Sequence, residues 1–220
     1  MSEIRLSPTK ILQEAVERVG PVFLPVALLT LPGILIPYGF PPFVAAGINV
    51  VYVLLIAPIL GGASIILISR CLDKQPVSLA EALALAWRRA VPLILSVVLL
   101  IVVLIPATVL FVIPGLYLSV RLFAVQYGVV LENQSPIDAF VMSWELTKGR
   151  WWQIFGVLLA LVLLVLIPVA ILSILLENVA ISELLIDLVV VAITPPLLMA
   201  LLMVYRLLQG QKIDGDTVEA

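Results

Sequence analysis

The chain has no histidine and only one cysteine, Cys71, in 220 residues. Histidine is the commonest general base and the commonest metal ligand, so its absence removes most schemes for nucleophile activation and metal catalysis. A single cysteine excludes an internal disulfide. Carboxylates remain as candidates for acid–base chemistry, but no pair of Asp or Glu lies inside any apolar segment described below. We therefore expect no enzymatic activity, no cofactor and no metal.

Charge is also scarce, at 12% of residues against 63% hydrophobic, and it is missing from long stretches of the chain. Residues 19–69, 151–176 and 188–205 carry no charge, and residues 90–131 carry only Arg121. A membrane-spanning helix needs about 20 apolar residues to cross about 30 Å of hydrocarbon. The sequence therefore predicts an all-α, polytopic membrane protein with six spans, at about residues 21–37, 44–69, 91–112, 115–131, 152–176 and 187–207.

Proline and glycine mark the breaks between these spans. Residues 38–42 interrupt the first run, because proline lacks a backbone donor and glycine accepts turn geometry. Residues 113–115, which read Ile-Pro-Gly, are expected to interrupt the second run, and residues 177–187 separate the last two spans. These breaks predict three hairpins.

The basic residues lie on one side of this arrangement. Eleven of the twelve Lys and Arg residues fall in the termini and in the connections between hairpins, and the three hairpin turns contain none. The last turn is acidic, with Glu177, Glu183 and Asp187. Because basic residues favour the cytoplasmic side, we expect a multi-pass protein of the inner or plasma membrane with both termini in the cytoplasm.

A short pattern recurs three times on the predicted cytoplasmic side, at residues 6–16, 77–87 and 134–144. Each copy contains a serine that can cap a helix N-terminus, namely Ser7, Ser78 and Ser135. Small or apolar residues follow four and eight positions later: Ile11 and Ala15, Ala82 and Ala86, Ala139 and Ser143. The pattern predicts a short amphipathic helix at the membrane interface before each hairpin.

The recurrence has two explanations. One is internal duplication within a single membrane domain of residues 1–220, with repeats at 6–76, 77–134 and 135–212. The other is convergence, because every hairpin that follows an interfacial helix needs a similar cap and a similar apolar face.

The most specific stretch covers residues 114–155. It contains Arg121-Leu122-Phe123, Ser135-Pro136-Ile137-Asp138-Ala139 and Lys148-Gly149-Arg150-Trp151-Trp152. This stretch resembles the membrane domain attached to some bacterial glycerophosphoryl diester phosphodiesterases, which also occurs alone in multi-pass proteins. The resemblance implies a module of the bacterial inner membrane. It carries no activity over, because the phosphodiesterase is a separate soluble barrel that uses histidine and carboxylates with a metal.

Arg121 is the one basic residue well inside a predicted span and not at its end, about 9 Å of helix from the outer turn at 1.5 Å per residue. Such an arginine costs at least about 2.5–3.5 kcal/mol on insertion scales and usually faces protein or water. One hypothesis is that Arg121 contacts an anion or a lipid phosphate in a cleft. The alternative is a structural role, in which it pairs with Glu177, Glu183 or Asp187 or extends to the outer surface.

Lys148 and Arg150 flank Gly149 just before Trp151 and Trp152. Lysine and arginine bind phosphate, and glycine lets a head group approach the backbone, so this turn is a second candidate lipid contact. The structural alternative is equally complete. Gly149 then ends the preceding helix in the left-handed conformation, the basic residues set topology, and the tryptophans belong to the interfacial belt.

Glu132 lies at the cytoplasmic end of the fourth predicted span, just before Ser135. We expect it to have a structural role. Its candidate partners are the third amphipathic helix, Lys148 and Arg150.

Few polar groups fall near the middle of the predicted membrane, with Arg121, Asn49, Ser64 and Ser96 the main ones. The expected function is a non-catalytic membrane module that binds or organises lipid, or that scaffolds another envelope protein. The alternative is a transporter or channel for a small solute or a lipid. Membrane lipids are the expected partners. Nucleic acid is not, because the basic residues are scattered among acids.

Overall fold

The computed structural model describes residues 8–176 and 182–210. These residues form eleven α-helices and one π-helical turn, Tyr52–Ile56, which joins α3 to α4. The helices are α1 Pro8–Arg18, α2 Gly20–Gly39, α3 Pro42–Val51, α4 Ala57–Leu72, α5 Leu79–Arg88, α6 Ala90–Leu110, α7 Val112–Arg121, α8 Val125–Leu131, α9 Pro136–Leu146, α10 Trp151–Leu175 and α11 Ser182–Leu208.

Five helical segments in the described ranges are long and apolar enough to cross a membrane: Pro42–Leu72, Ala90–Leu110, Val112–Leu131, Trp151–Leu175 and Ser182–Leu208. A sixth is obtained if α1 and α2, which meet at a bend of 91°, are counted together. The predicted all-helical character is confirmed, and these apolar helices are compatible with the predicted multi-pass arrangement. Apart from the start of the last one, the predicted segments agree with the helices to within a few residues.

The break in the second apolar run was predicted at the wrong place. Residues 113–115 do not interrupt the helix; α6 ends at Leu110, the extended residue Phe111 makes the turn, and Pro114 lies in the first turn of α7. Proline is tolerated there because the first helical N–H groups have no intrahelical acceptor. Gly115 is needed for close packing, since a Cβ atom on it would lie 2.7 Å from the Cα atom of Thr108.

The acidic turn before the last span is also shorter than predicted. Helix α11 already begins by Ser182, so Glu183 and Asp187 belong to its first turns and not to a loop. Asp187 accepts a 2.7 Å hydrogen bond from the Tyr38 hydroxyl at the end of α2. Several residues used in the sequence predictions, including Arg5, Ser7, Glu177 and Lys212, lie outside the described residues.

The three short helices that follow the recurrent serines bury the predicted positions. Helix α1 buries Ile11 and Ala15, α5 buries Ala82 and Ala86, and α9 buries Ala139 and Ser143. Two of the predicted caps are confirmed. Ser78 accepts a hydrogen bond from the N–H of Glu81, and Ser135 accepts one from the N–H of Asp138, each at 3.2 Å.

The helix contacts follow a cyclic order. Each short helix packs against the apolar helix that precedes it, α5 on α4 and α9 on α8, and α1 packs on the last helix, α11. Successive long segments also touch: α2 contacts α4, α4 contacts α6, α6 contacts α7, α7 contacts α10, α10 contacts α11, and α11 returns to α2. The chain therefore closes into a ring, in which α4 additionally contacts both α8 and α11.

Burial is concentrated at one end of this ring. The main cluster of buried side chains contains residues of α4 between Ile59 and Ile68 and residues of α11 between Met199 and Leu208. Buried residues of α1 and α5 complete it. At the α6–α7 turn, by contrast, Val109 and Ile113 are about 80% exposed. This better-buried end of the helices, which we call the packed end, contains the connections that carry the basic residues. Here protein side chains, and not only lipid, can surround a ligand.

Candidate functional site

The helix that contains Arg121 is interrupted directly after it. Helix α7 ends at Arg121, residues 122–124 form a turn, and α8 begins at Val125. The buried hydroxyl of Ser143 bridges the interruption, because it accepts a 3.2 Å hydrogen bond from the N–H of Ala124 and donates a 2.7 Å bond to the carbonyl of Arg121. A broken helix inside a membrane requires such partners, since lipid offers none.

Replacing Ser143 with alanine should therefore lower the free energy of unfolding by about 1–2 kcal/mol, because the Ala124 N–H would remain buried without an acceptor. The measurement is equilibrium unfolding in bicelles or mild detergent. Ser119→Ala is the matched control, since the Ser119 hydroxyl is exposed and bonds only within its own helix. Equal stability of the two variants would show that Ser143 does not support the break.

Arg121 is held by protein groups on α7 and α9. Its guanidinium donates to the Tyr117 hydroxyl at 2.8 and 2.9 Å, and to the Trp144 carbonyl and the Thr147 hydroxyl at 3.3 Å each. It also lies over the rings of Tyr117 and Trp144, 5.2 and 4.8 Å from their centroids. Glu183 and Asp187, two of the partners that the structural alternative offered for Arg121, are not among these groups, because the side chain extends toward α9. Most of its donors are already committed within the protein.

The turn before α10 has the predicted glycine conformation. Gly149 has φ of +75°, in the left-handed region that glycine adopts at little cost. Lys148 lies 3.6 Å from Glu145, and both side chains are well exposed. Arg150 occupies the N-terminal cap position of α10. Lys148 therefore lies on an open turn, and the half-buried Arg150 ends that turn.

The two tryptophans differ in their surroundings. Trp152 is 77% exposed, as a residue of an interfacial belt would be. Trp151 packs between helices, stacked on Phe155 at 5.0 Å and on Tyr117 at 5.6 Å between ring centroids. Its indole N–H donates to the Tyr117 carbonyl at 3.2 Å, so Trp151 joins α10 to α7.

A cavity lies elsewhere in the described residues, where the ends of several helices meet. Its volume is about 960 Å³, at the upper end of the usual range for ligand pockets. The ends of α4, α5, α8 and α11 line it, and four of its side chains are arginines. We call it the arginine pocket; its polar lining residues are Ser69, Arg70, Asp73, Arg88, Arg89, Glu132, Asn133, Tyr205, Arg206 and Gln209.

Two of the four arginines brace the walls of the arginine pocket. Arg206 forms a bidentate ion pair with Asp73 at 2.7 and 3.0 Å and also donates to the hydroxyl and carbonyl of Ser69, which ties α11 to α4. Arg89 donates a 3.2 Å hydrogen bond to the carbonyl of Asn133, which ties α5 to the turn after α8. These contacts hold the four helix ends around the cavity.

The other two arginines are less engaged. Arg70 makes one 3.3 Å hydrogen bond to Gln75, in the turn that follows its own helix. The side chain of Arg88 is exposed and makes no hydrogen bond or ion pair with any residue in the described part of the chain. Both guanidinium groups can therefore turn their donors toward a ligand.

Glu132 is the second carboxylate of the arginine pocket, and it does not pair with Lys148 or Arg150 as we considered. It accepts hydrogen bonds from the Tyr205 hydroxyl of α11, from the amide of Gln209 directly after α11, and from the amide of Gln134 at 2.8 Å. The buried ring of Tyr205 stacks on Tyr127 of α8, with centroids 4.8 Å apart. Glu132 therefore joins the end of α8 to the end of α11, and its role stays a prediction.

Sequence reasoning missed this pocket. Arg70, Arg88, Arg89 and Arg206 served only as indicators of topology, and they lie up to 136 residues apart in the chain. One signal was available: each lies within two or three residues of the end of a helix on the same predicted side.

In comparisons with known proteins, no family model, no curated protein and no solved structure matches this chain.

Proposed function

We propose that this chain is a non-catalytic integral membrane module that binds an anionic lipid head group in the arginine pocket. The observation that carries the proposal is the cavity itself, where four arginines and two carboxylates meet at the ends of apolar helices. Basic pockets between membrane helices on the cytoplasmic side bind phosphate head groups in this way. The two carboxylates already have donors from Arg206, Tyr205 and Gln209, which leaves arginine charge available.

The proposal includes a topology. The chain forms three hairpins, each preceded by an interfacial helix, in the inner or plasma membrane, and the arginine pocket faces the cytoplasm. Two observations support it. The connections that carry Arg70, Arg89 and Arg206 lie together around the pocket, while Tyr38 meets Asp187 where α2 ends and α11 begins. A cytoplasmic pocket adjoins a leaflet rich in anionic lipid.

The cyclic packing favours duplication over convergence as the origin of the recurrent pattern. Convergence explains similar caps, but it does not require α1 to pack on α11 as α5 packs on α4. We therefore propose three repeats, 6–76, 77–134 and 135–212, related by an axis along the membrane normal. The resemblance to the phosphodiesterase membrane domain remains a prediction, as does a scaffolding role for another envelope protein.

Transport is the second candidate, and one observation favours it. The second long segment of each proposed hairpin contains an irregularity. These are the π-helical turn at Tyr52–Ile56, the interruption after Arg121, and Pro195-Pro196 in α11. Discontinuous helices form the binding sites of many transporters. Here, however, the free backbone groups at the interruption after Arg121 are occupied by Ser143. We therefore place lipid binding first.

The test is lipid retention. Purified Arg70→Gln/Arg88→Gln protein should retain far less anionic lipid in native mass spectrometry than the unchanged protein. The expected loss is about tenfold or more in affinity for each arginine, because each charge-assisted hydrogen bond contributes about 1.5–3 kcal/mol. Glutamine keeps a donor but removes the charge.

The matched control is Lys148→Gln/Arg150→Gln, which removes the same charge from the open turn before α10. It should leave lipid retention unchanged. Loss of lipid in the control variant, with retention in the arginine-pocket variant, would move the site to that turn and contradict the proposal. A melting curve in detergent for each variant separates loss of lipid from loss of fold.

A further inference from the structure

We infer that the arginine pocket is specific for a phosphomonoester, which carries a doubly charged terminal phosphate, over a singly charged phosphodiester. This inference rests on the proposed function and adds the chemical class of the ligand. It follows from two properties of the lining residues, their balance of hydrogen-bond donors and acceptors and their net charge.

Donors exceed acceptors in the arginine pocket. A guanidinium has five N–H groups; Arg70 and Arg89 each use one in the bonds described above, and Arg88 uses none within the described residues. Both carboxylates are already occupied, Asp73 by Arg206, and Glu132 by α11 and Gln134. A ligand that satisfies this surplus must supply several acceptor oxygens and few donors. A terminal phosphate offers three such oxygens.

The charge balance points to a dianion. The lining holds four arginines against two carboxylates, which leaves a net charge of two positive units. A phosphomonoester carries about −1.5 to −2 at neutral pH and matches this excess, whereas a diester supplies one negative charge. Arginine pairs bidentately with phosphate oxygens, and a terminal phosphate has enough of them for Arg70 and Arg88 to bind at the same time.

Competition between lipids tests the inference. The full chain is placed in phosphatidylcholine nanodiscs that contain equal amounts of phosphatidic acid, a phosphomonoester, and phosphatidylglycerol, a phosphodiester of similar size. Native mass spectrometry of the released protein should show phosphatidic acid enriched about tenfold over phosphatidylglycerol. The Arg70→Gln/Arg88→Gln variant should lose this preference, and Lys148→Gln/Arg150→Gln should keep it.

A soluble probe identifies the source of the phosphate. Glycerol 3-phosphate is titrated onto the protein in nanodiscs of phosphatidylcholine alone and then used to displace phosphatidic acid. Binding that requires Arg70 and Arg88 would support the phosphomonoester class, and without enrichment of phosphatidic acid it would assign the pocket to a soluble ligand; with that enrichment the lipid assignment stands. Failure to bind, together with enrichment of phosphatidic acid, assigns it to a lipid.

Two further results separate the inference from the proposed function. Equal enrichment of both lipids that still depends on Arg70 and Arg88 would overturn the phosphomonoester assignment and leave the lipid site standing. If neither lipid nor glycerol 3-phosphate depends on these arginines, in variants whose melting curves are unchanged, both the inference and the proposed function are wrong.

Discussion

Replacing Tyr205 with alanine should destabilise the protein by about 3–5 kcal/mol, the range for deleting a buried aromatic side chain. Tyr205 is 1% exposed, stacks on Tyr127, and donates its hydroxyl to Glu132. The substitution removes the ring from the contact between α8 and α11 and leaves Glu132 without one of its donors. Equilibrium unfolding in bicelles measures the loss.

Two further variants resolve the origin of this effect. Tyr205→Phe keeps the ring and removes only the bond to the carboxylate, so its cost should be about 1.5–3 kcal/mol. Phe43→Ala is the control for loss of aromatic area, because Phe43 is 91% exposed and leaves no cavity in the protein when it is shortened. If Tyr205→Ala were no more destabilising than Phe43→Ala, the contact between α8 and α11 would not contribute to stability.

Replacing Ala86 with leucine should destabilise the protein by about 1–3 kcal/mol through overpacking. Ala86 is fully buried on α5 and faces Gly62 of α4. A Cβ atom added to Gly62 would lie 3.6 Å from the Cβ atom of Ala86, which is van der Waals contact. The two small residues let the helices approach, so a larger side chain must push them apart. This would also move Arg88 and Arg89 at the end of α5, and lipid retention should fall together with stability.

Ala84→Leu is the control, because it makes the same substitution two residues away on the exposed side of α5. It should leave both stability and lipid retention within experimental error of the unchanged protein. Equal melting temperatures for the two leucine variants would show that α4 and α5 do not pack closely at Ala86, and would contradict the prediction.

The recurrent pattern shows what can be predicted from residues close together in the sequence. Positions four and eight after each serine were predicted to form one helical face, and all six residues are buried, because the helical period places them on the same side. Ser143 stands where the other two copies have alanine. The reason is tertiary: its hydroxyl supports the interruption between α7 and α8, which no local pattern in residues 121–125 had indicated.

The candidate site shows the opposite case. The sequence analysis chose as candidate lipid contacts the charged residues in or beside apolar runs, namely Arg121, Lys148 and Arg150. The structure gives Arg121 protein partners on α7 and α9 and leaves Lys148 on an exposed turn. Arg70 and Arg88 looked like ordinary topology signals, and their place beside one cavity depends on which helix ends meet.

The sequence by itself determined the all-helical character, the positions of most apolar segments, the buried faces of the short helices and the left-handed glycine at position 149. These properties depend on neighbours within a few residues, through helical period, hydropathy and backbone geometry. The tertiary structure alone decided that α1 closes a ring with α11, that Glu132 binds Tyr205, and that four arginines surround one cavity. Such contacts join residues far apart in the chain, and their geometry depends on how whole helices pack.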